Sequence, residues 1–134
     1  LRSNIEKYLC TALLTHDNLQ LALEINGIIA ADIVRAQSHL ETGNFQSDLC
    51  GLHNNLFGMK QPHVRATTAI GANEKGYAIY RSWYDSVKDI KLFQEWYLER
   101  GRDLSDYHAF LASIGYAEDV HYLAKVNELC TTSR

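Results

Sequence analysis

Glu41 lies in the stretch AQSHLETGNFQSDLCGLHNNLFGMK, residues 36–60, where a carboxylate is followed at once by glycine, amides and an aromatic. The residues before it, Ile29 to Leu40, read as a largely buried helix, and Gly43 stops it. Glu41 is therefore expected at the negative end of a helix dipole, partly buried beside Leu40 or Phe57. Both conditions disfavour the ionised form and raise a Glu pKa. A carboxyl that keeps its proton near neutral pH can act as a general acid, for instance by protonating the leaving oxygen of a glycoside.

The neighbours suit that chemistry. Ser47 and Asp48 can hold the loop by local hydrogen bonds. Asn54 and Asn55 offer amides that donate and accept, toward a sugar hydroxyl or acetamide or as simple turn formers. Phe57, Tyr80, Trp83 and Tyr84 supply flat faces for sugar rings, or else core and cross-strand partners. The six histidines form no HExxH or comparable pair, so no metal or other cofactor is expected; His53, in the loop, is the one placed to touch a substrate. Cys10, Cys50 and Cys130 have neither CxxC spacing nor an even count, and only a Cys10–Cys130 bridge between the terminal helices stays open.

These residues need a scaffold to position them. A chain of 134 residues fits one compact domain, residues 1–134. No apolar run approaches the roughly 18–20 residues of a membrane span. A net charge of −3 with scattered Lys and Arg lacks the basic stripe of a nucleic-acid binder. The chain opens on Leu1 with no basic-then-apolar segment, so a trimmed or mature form is expected.

Helical signals come first. Ser3 and Glu6 form a capping-box pattern, Asp17 is placed to cap a second helix that Asn26-Gly27 ends, and the helix before Glu41 is the third. An irregular loop is expected from Gly43 to Leu56. The β-branched and aromatic VRATTAI and YAIYRSW, joined by GANEKG, predict a β-hairpin over residues 64–83. Helices return in DSVKDIKLFQEWYLERG, in SDYHAFLASIG with Ser105 as cap, and in EDVHYLAKVNELC.

Four blocks, IVRAQSHLETGNFQS, NNLFGMK, YAIYRSWYDSVKDI and GYAEDVHYLAKV, resemble in order and approximate spacing the glucosaminidase domain of glycoside hydrolase family 73, the bacterial and phage peptidoglycan hydrolases. The resemblance runs from Ile28 to Val126. It implies an α+β, mainly helical, lysozyme-like fold with a small β-hairpin lobe, a cleft between the lobes, and hydrolysis of the β-1,4 bond after N-acetylglucosamine. By position it implies Glu41 as the acid, Tyr116 as a cleft tyrosine assisting catalysis, and Tyr122 as a second aromatic of that block. Asn55 and Phe57 would line the cleft, and Tyr80 and Trp83 would close the β-lobe.

Two departures bear on mechanism. Where some members carry a second Glu close behind Thr-Thr, this chain has Ala69 and offers only Glu74 at the hairpin tip. The family's Tyr-Ala-Thr-Asp-Pro becomes Tyr116-Ala117-Glu118-Asp119-Val120, leaving Asp119 as the cap. Glu74 or Asp48 as base, a carboxylate nucleophile, and attack by the substrate's own acetamide beside Tyr116 are the three routes, with the last favoured because N-acetylglucosamine brings that group itself. The rivals are a muramidase or lytic transglycosylase, and a non-catalytic glycan-binding or structural module. The implied partner is peptidoglycan, met by a monomer outside the cytoplasmic membrane; a secretion partner is left open, and a toxin delivered to rivals would need an immunity partner.

Overall fold

The computed structural model describes residues 3–116 and 121–132. Seven helices and one two-stranded sheet follow in the order α1 (Asn4–Thr11), α2 (His16–Ile25), α3 (Ala31–Thr42), α4 (Asp48–His53), β1 (Gly71–Ala72), β2 (Ala78–Ile79), α5 (Trp83–Glu99), α6 (Tyr107–Ser113) and α7 (Tyr122–Thr132). This is the α+β, mainly helical architecture expected from the sequence.

Helix α5 forms the spine. Its Tyr84, Val87, Ile90 and Phe93 recur at helical spacing and are buried against Leu9 of α1, Leu19 and Leu23 of α2, and Phe110 and Leu111 of α6. Each such side chain contributes roughly 1.5–3 kcal/mol when withdrawn from water. Helix α3 packs on α2 and on α7, where Ala36 meets Tyr122 and Val126 in a second small cluster. Flanked on two sides, α3 buries five consecutive residues from Val34 to Ser38. Glu41 thus rides on a helix with little freedom to shift.

Several local expectations are corrected. Thr15, not Asp17, caps α2, because the extended Thr15 directs its hydroxyl to the Asn18 amide while Asp17 already lies in the first turn. Asp106, not Ser105, caps α6 by accepting from the Ala109 amide at 3.1 Å. The stretch after Gly43 is not wholly irregular: Ser47 accepts from the Cys50 amide at 3.1 Å and starts α4. Asp119 falls outside the described residues. Cys10, Cys50 and Cys130 are thiols, so the terminal helices are not bridged.

The hairpin is much shorter than residues 64–83. Only Gly71 with Ile79 and Ala72 with Ala78 pair as strands, and a bridge from Lys60 to Tyr77 flanks β2 on its other side. Arg65, Thr67 and Thr68 bond instead to α5. Arg65 pairs with the fully buried Asp89 at 2.6 Å, Thr67 donates to the same carboxylate at 2.8 Å, Tyr80 donates to its other oxygen at 2.5 Å, and Thr68 donates to the Asp85 carbonyl. A buried carboxylate must be compensated, and Asp89 draws the chain away from strand pairing to achieve it. Thr67→Val, which removes one donor, is expected to destabilise the domain by about 1–2 kcal/mol in urea unfolding.

No helix among the described residues is long and apolar enough to cross a membrane.

Candidate active site

The end of α3 is set by its own side chains. Gly43 takes φ +54°, and its amide and that of Asn44 turn back to Leu40 and His39 carbonyls. Thr42 donates to Ser38 O at 2.6 Å and accepts from the Phe45 amide at 2.8 Å. Only a residue tolerant of the left-handed region serves at such an exit. Glu41 is delivered one residue before the helix ends.

A second loop closes on Glu41 from the β side. Asn55 is fully buried, and its amide nitrogen donates to the Met59 and Ala78 carbonyls at 2.9 Å each. Its oxygen accepts from the Phe57 and Met59 amides at 3.3 and 3.1 Å. With Leu56 N bonded to Ser86 Oγ, residues 55–59 are held as a rigid turn. Gly58 lies at its apex with φ +64°, and a Cβ there would stand 2.8 Å from Glu41 Oε2. Glycine is required twice over, by conformation and by the carboxylate pressed against it.

Two tyrosines complete the surroundings. Tyr122 accepts from Gln37 Nε2 at 3.2 Å, which leaves its one proton to donate to Glu41. Tyr116 donates to the Phe57 carbonyl at 2.6 Å, and its ring lies 6.1 Å from that of Tyr122. Burial holds the Glu41 carboxyl above the ordinary range, and the Tyr122 hydrogen bond draws it part of the way back. The same burial, with Tyr122 and Glu41 close by, lifts the Tyr116 phenol far above its usual value, so it stays protonated.

The carboxyl opens on a hollow of about 320 Å³ walled by Asp48, Leu49 and His53 of α4 and by Asn73, Lys75 and Tyr77 of the hairpin. Beyond Gly58 and Tyr116 a second hollow of about 360 Å³ is lined by Met59, Pro62, Phe93, Trp96 and Tyr97. A carboxyl of raised pKa set between a polar and an aromatic depression has the layout that cleavage within a chain of sugars would require. No group of His, Cys, Asp and Glu among the described residues is arranged to hold a metal.

Residues 16–134 match the glucosaminidase family, whose description reads mannosyl-glycoprotein endo-beta-N-acetylglucosaminidase. The chain belongs to the glucosaminidase family. Neither a curated protein nor a solved structure matches it.

The glucosaminidase domain brings only some of the expected site residues together. Glu41, Tyr116 and Tyr122 converge, whereas Glu74 is exposed at the hairpin tip between the two wall residues Asn73 and Lys75. Asn55 and the Phe57 ring do not line the cleft: both are buried, Asn55 because its amide organises the turn and Phe57 because its ring joins the core. Tyr80 is likewise committed to Asp89, and Trp83 is buried with its indole N–H donated to Ala12 O. Asn54 caps α4, donates to Tyr80 O and faces the side of that helix away from Glu41.

Gln37 and Gly58 were not singled out by sequence. Gln37 precedes Glu41 by one helical turn, a spacing that places both on one face, and this signal was available. Tyr122→Phe is expected to raise the Glu41 pKa further, since it deletes a bond to the ionised form. With Glu41 as a general acid, the alkaline limb of kcat/KM against pH should move upward as well.

Proposed function

We propose that this chain is one catalytic domain, an endo-β-N-acetylglucosaminidase that cleaves the β-1,4 bond between N-acetylglucosamine and N-acetylmuramic acid in peptidoglycan. The observation that carries the reading is the partly buried Glu41 carboxyl, its pKa raised by burial, set at a hollow between α4 and the hairpin and hydrogen-bonded by Tyr122. As the glycosidic C–O bond breaks, the Glu41 proton passes to the leaving oxygen.

The second group is the substrate's acetamide. Its carbonyl oxygen forms a bond to the anomeric carbon as the leaving sugar departs, giving a cyclic oxazolinium. Tyr116 donates its only proton to Phe57 O, so its lone pairs are left to accept the acetamide N–H and hold the group for attack. Water then adds at the anomeric carbon, the acetamide leaves, and the Glu41 carboxylate takes the water's proton. Configuration is retained. Asp48 and Glu74 flank the hollow and are the carboxylates an inverting route would need.

Such a substrate lies outside the cytoplasmic membrane, and the domain is proposed to work there as a monomer. Digestion of peptidoglycan, borohydride reduction and mass spectrometry test the bond cleaved. Reduced N-acetylglucosamine ends are expected; reduced or anhydro N-acetylmuramic ends would make the domain a muramidase or lytic transglycosylase, and no release would leave a binding module. An α-anomer as first product, seen by NMR, would exclude the acetamide route.

A further inference from the structure

Helix α4 has a second face. Its Asp48, Leu49 and His53 wall the hollow that holds Glu41, while Cys50 and Gly51, with the cap residue Asn54, border a separate groove of about 650 Å³ formed with the α1–α2 connection and residues 44–46. An α-helix is about 10 Å across, so groove and cleft are one helix diameter apart.

The groove has a buried apolar floor and an exposed polar rim. Trp83 and Cys50 at the floor are 7 % and 5 % exposed, whereas Thr15, His16, Asn44 and Gln46 at the rim are open to solvent. None of the twelve described residues that line it is charged, although a chain with 22 % charged residues would supply about two or three by chance. An aromatic floor with amide and hydroxyl edges and no formal charge suits a neutral pyranose, which offers C–H faces below and hydroxyl or acetamide groups around its rim.

Two further features mark the groove. Asn44, Phe45 and Asn54, three of the four non-glycine residues with positive φ among the described residues, all border the groove. Phe45 is a bulky residue at φ +70°, held there by Thr42 Oγ1 and by the His16 ring at 4.7 Å, and His16 is in turn bonded to Asn44 Oδ1 at 2.7 Å. Gly51 stands in the middle of α4, where glycine weakens a helix. No positive φ requires it, and a Cβ there would meet nothing within 4 Å. What a bare backbone at that position permits is close approach of a ligand to the helix.

We propose that this groove is a second carbohydrate site, which binds a neutral β-linked N-acetylamino-sugar chain apart from the Glu41 cleft. It would hold a glycan strand on the domain whether or not the cleft turns it over.

The test is titration of the Glu41→Gln chain with the β-1,4-linked hexamer of N-acetylglucosamine, read by amide and indole NMR shifts. Saturable shifts are expected at Asn44, Phe45, Gln46 and Gly51. Gly51→Leu should raise Tm, by improving helix propensity, yet weaken the groove shifts at least tenfold while those near Glu41 and Tyr77 keep their midpoint. Leu13→Asp, at an 81 % exposed rim position, should weaken them as well. Absence of groove shifts at saturation, or groove shifts unchanged in both variants, would overturn the proposal. Shifts at the groove with none at the cleft would retain it and count against the reading of Glu41 instead.

Discussion

Glu41→Gln is expected to lower glycan turnover by about 10³-fold, the scale of a lost general acid, and at the same time to raise Tm by about 2–5 °C at neutral pH. The two effects share a cause. Burial raises the Glu41 pKa in the folded state above the value of roughly 4.3 found in an unfolded chain. The native state therefore binds the proton more tightly. Below the unfolded pKa both states are protonated and the carboxyl costs nothing through ionisation. As pH rises through the folded pKa the carboxylate must ionise in a partly desolvated place, and stability falls until ionisation is complete. Glutamine keeps the shape and can accept from Tyr122 without the charge. Its gain in Tm should be present at pH 7 and disappear toward pH 4, which thermal unfolding across that range would read directly. A loss of Tm at pH 7 would mean that the carboxylate is a structural partner.

Gly58→Ala has the second largest expected effect, and it acts on the same group from the opposite wall. The new methyl would sit 2.8 Å from Oε2 and 3.2 Å from Cδ of Glu41, on a backbone already at φ +64°. Conformation alone accounts for about 1 kcal/mol of lost stability at such a position. The contact adds a displacement of the carboxyl, and a shift near 1 Å in a catalytic group is worth about 10² in rate. Turnover should fall on that order, with Tm lowered by several degrees. The contact can be isolated by a double-mutant cycle. Against a Glu41→Ala background Gly58→Ala should lose only the conformational part, and the difference is the coupling between the two residues. Equal losses in both backgrounds would mean that Gly58 does not position Glu41.

How much of this was legible in the sequence follows from how local each cause is. The end of α3 was readable because Leu40, Glu41 and Gly43 lie within one turn, and a dipole, a carboxyl and a left-handed exit act over that distance. Helix existence was readable for the same reason, apart from the short α4, which lies in a stretch rich in Gly, Asn, Ser and Asp. Caps were displaced by a residue or two, at Thr15 and Asp106, because several neighbouring side chains could each have reached the same amides. What failed depended on partners far along the chain. VRATTAI has strand composition, yet Arg65 and Thr67 are drawn to α5 by a buried Asp89 that no local pattern announces, and Thr68 by the Asp85 carbonyl. Asn55 and Tyr80 carry the right chemistry for a sugar wall, but tertiary hydrogen bonds consume it. Gln37 and Tyr122 meet only because α3 packs on α7. Short-range physics located the Glu41 carboxyl, and long-range packing chose what surrounds it.

The central claim is that Glu41 gives its proton to the departing oxygen, and a change of leaving group tests it most directly. A dinitrophenyl β-glycoside of an N-acetylglucosamine oligomer departs as a stable phenolate and needs no proton, whereas a glycan leaving group does. The expected result for Glu41→Gln is a loss of about 10³-fold in kcat/KM on the glycan and less than about tenfold on the dinitrophenyl substrate. Equal losses on both substrates, or full activity on the glycan, would contradict it.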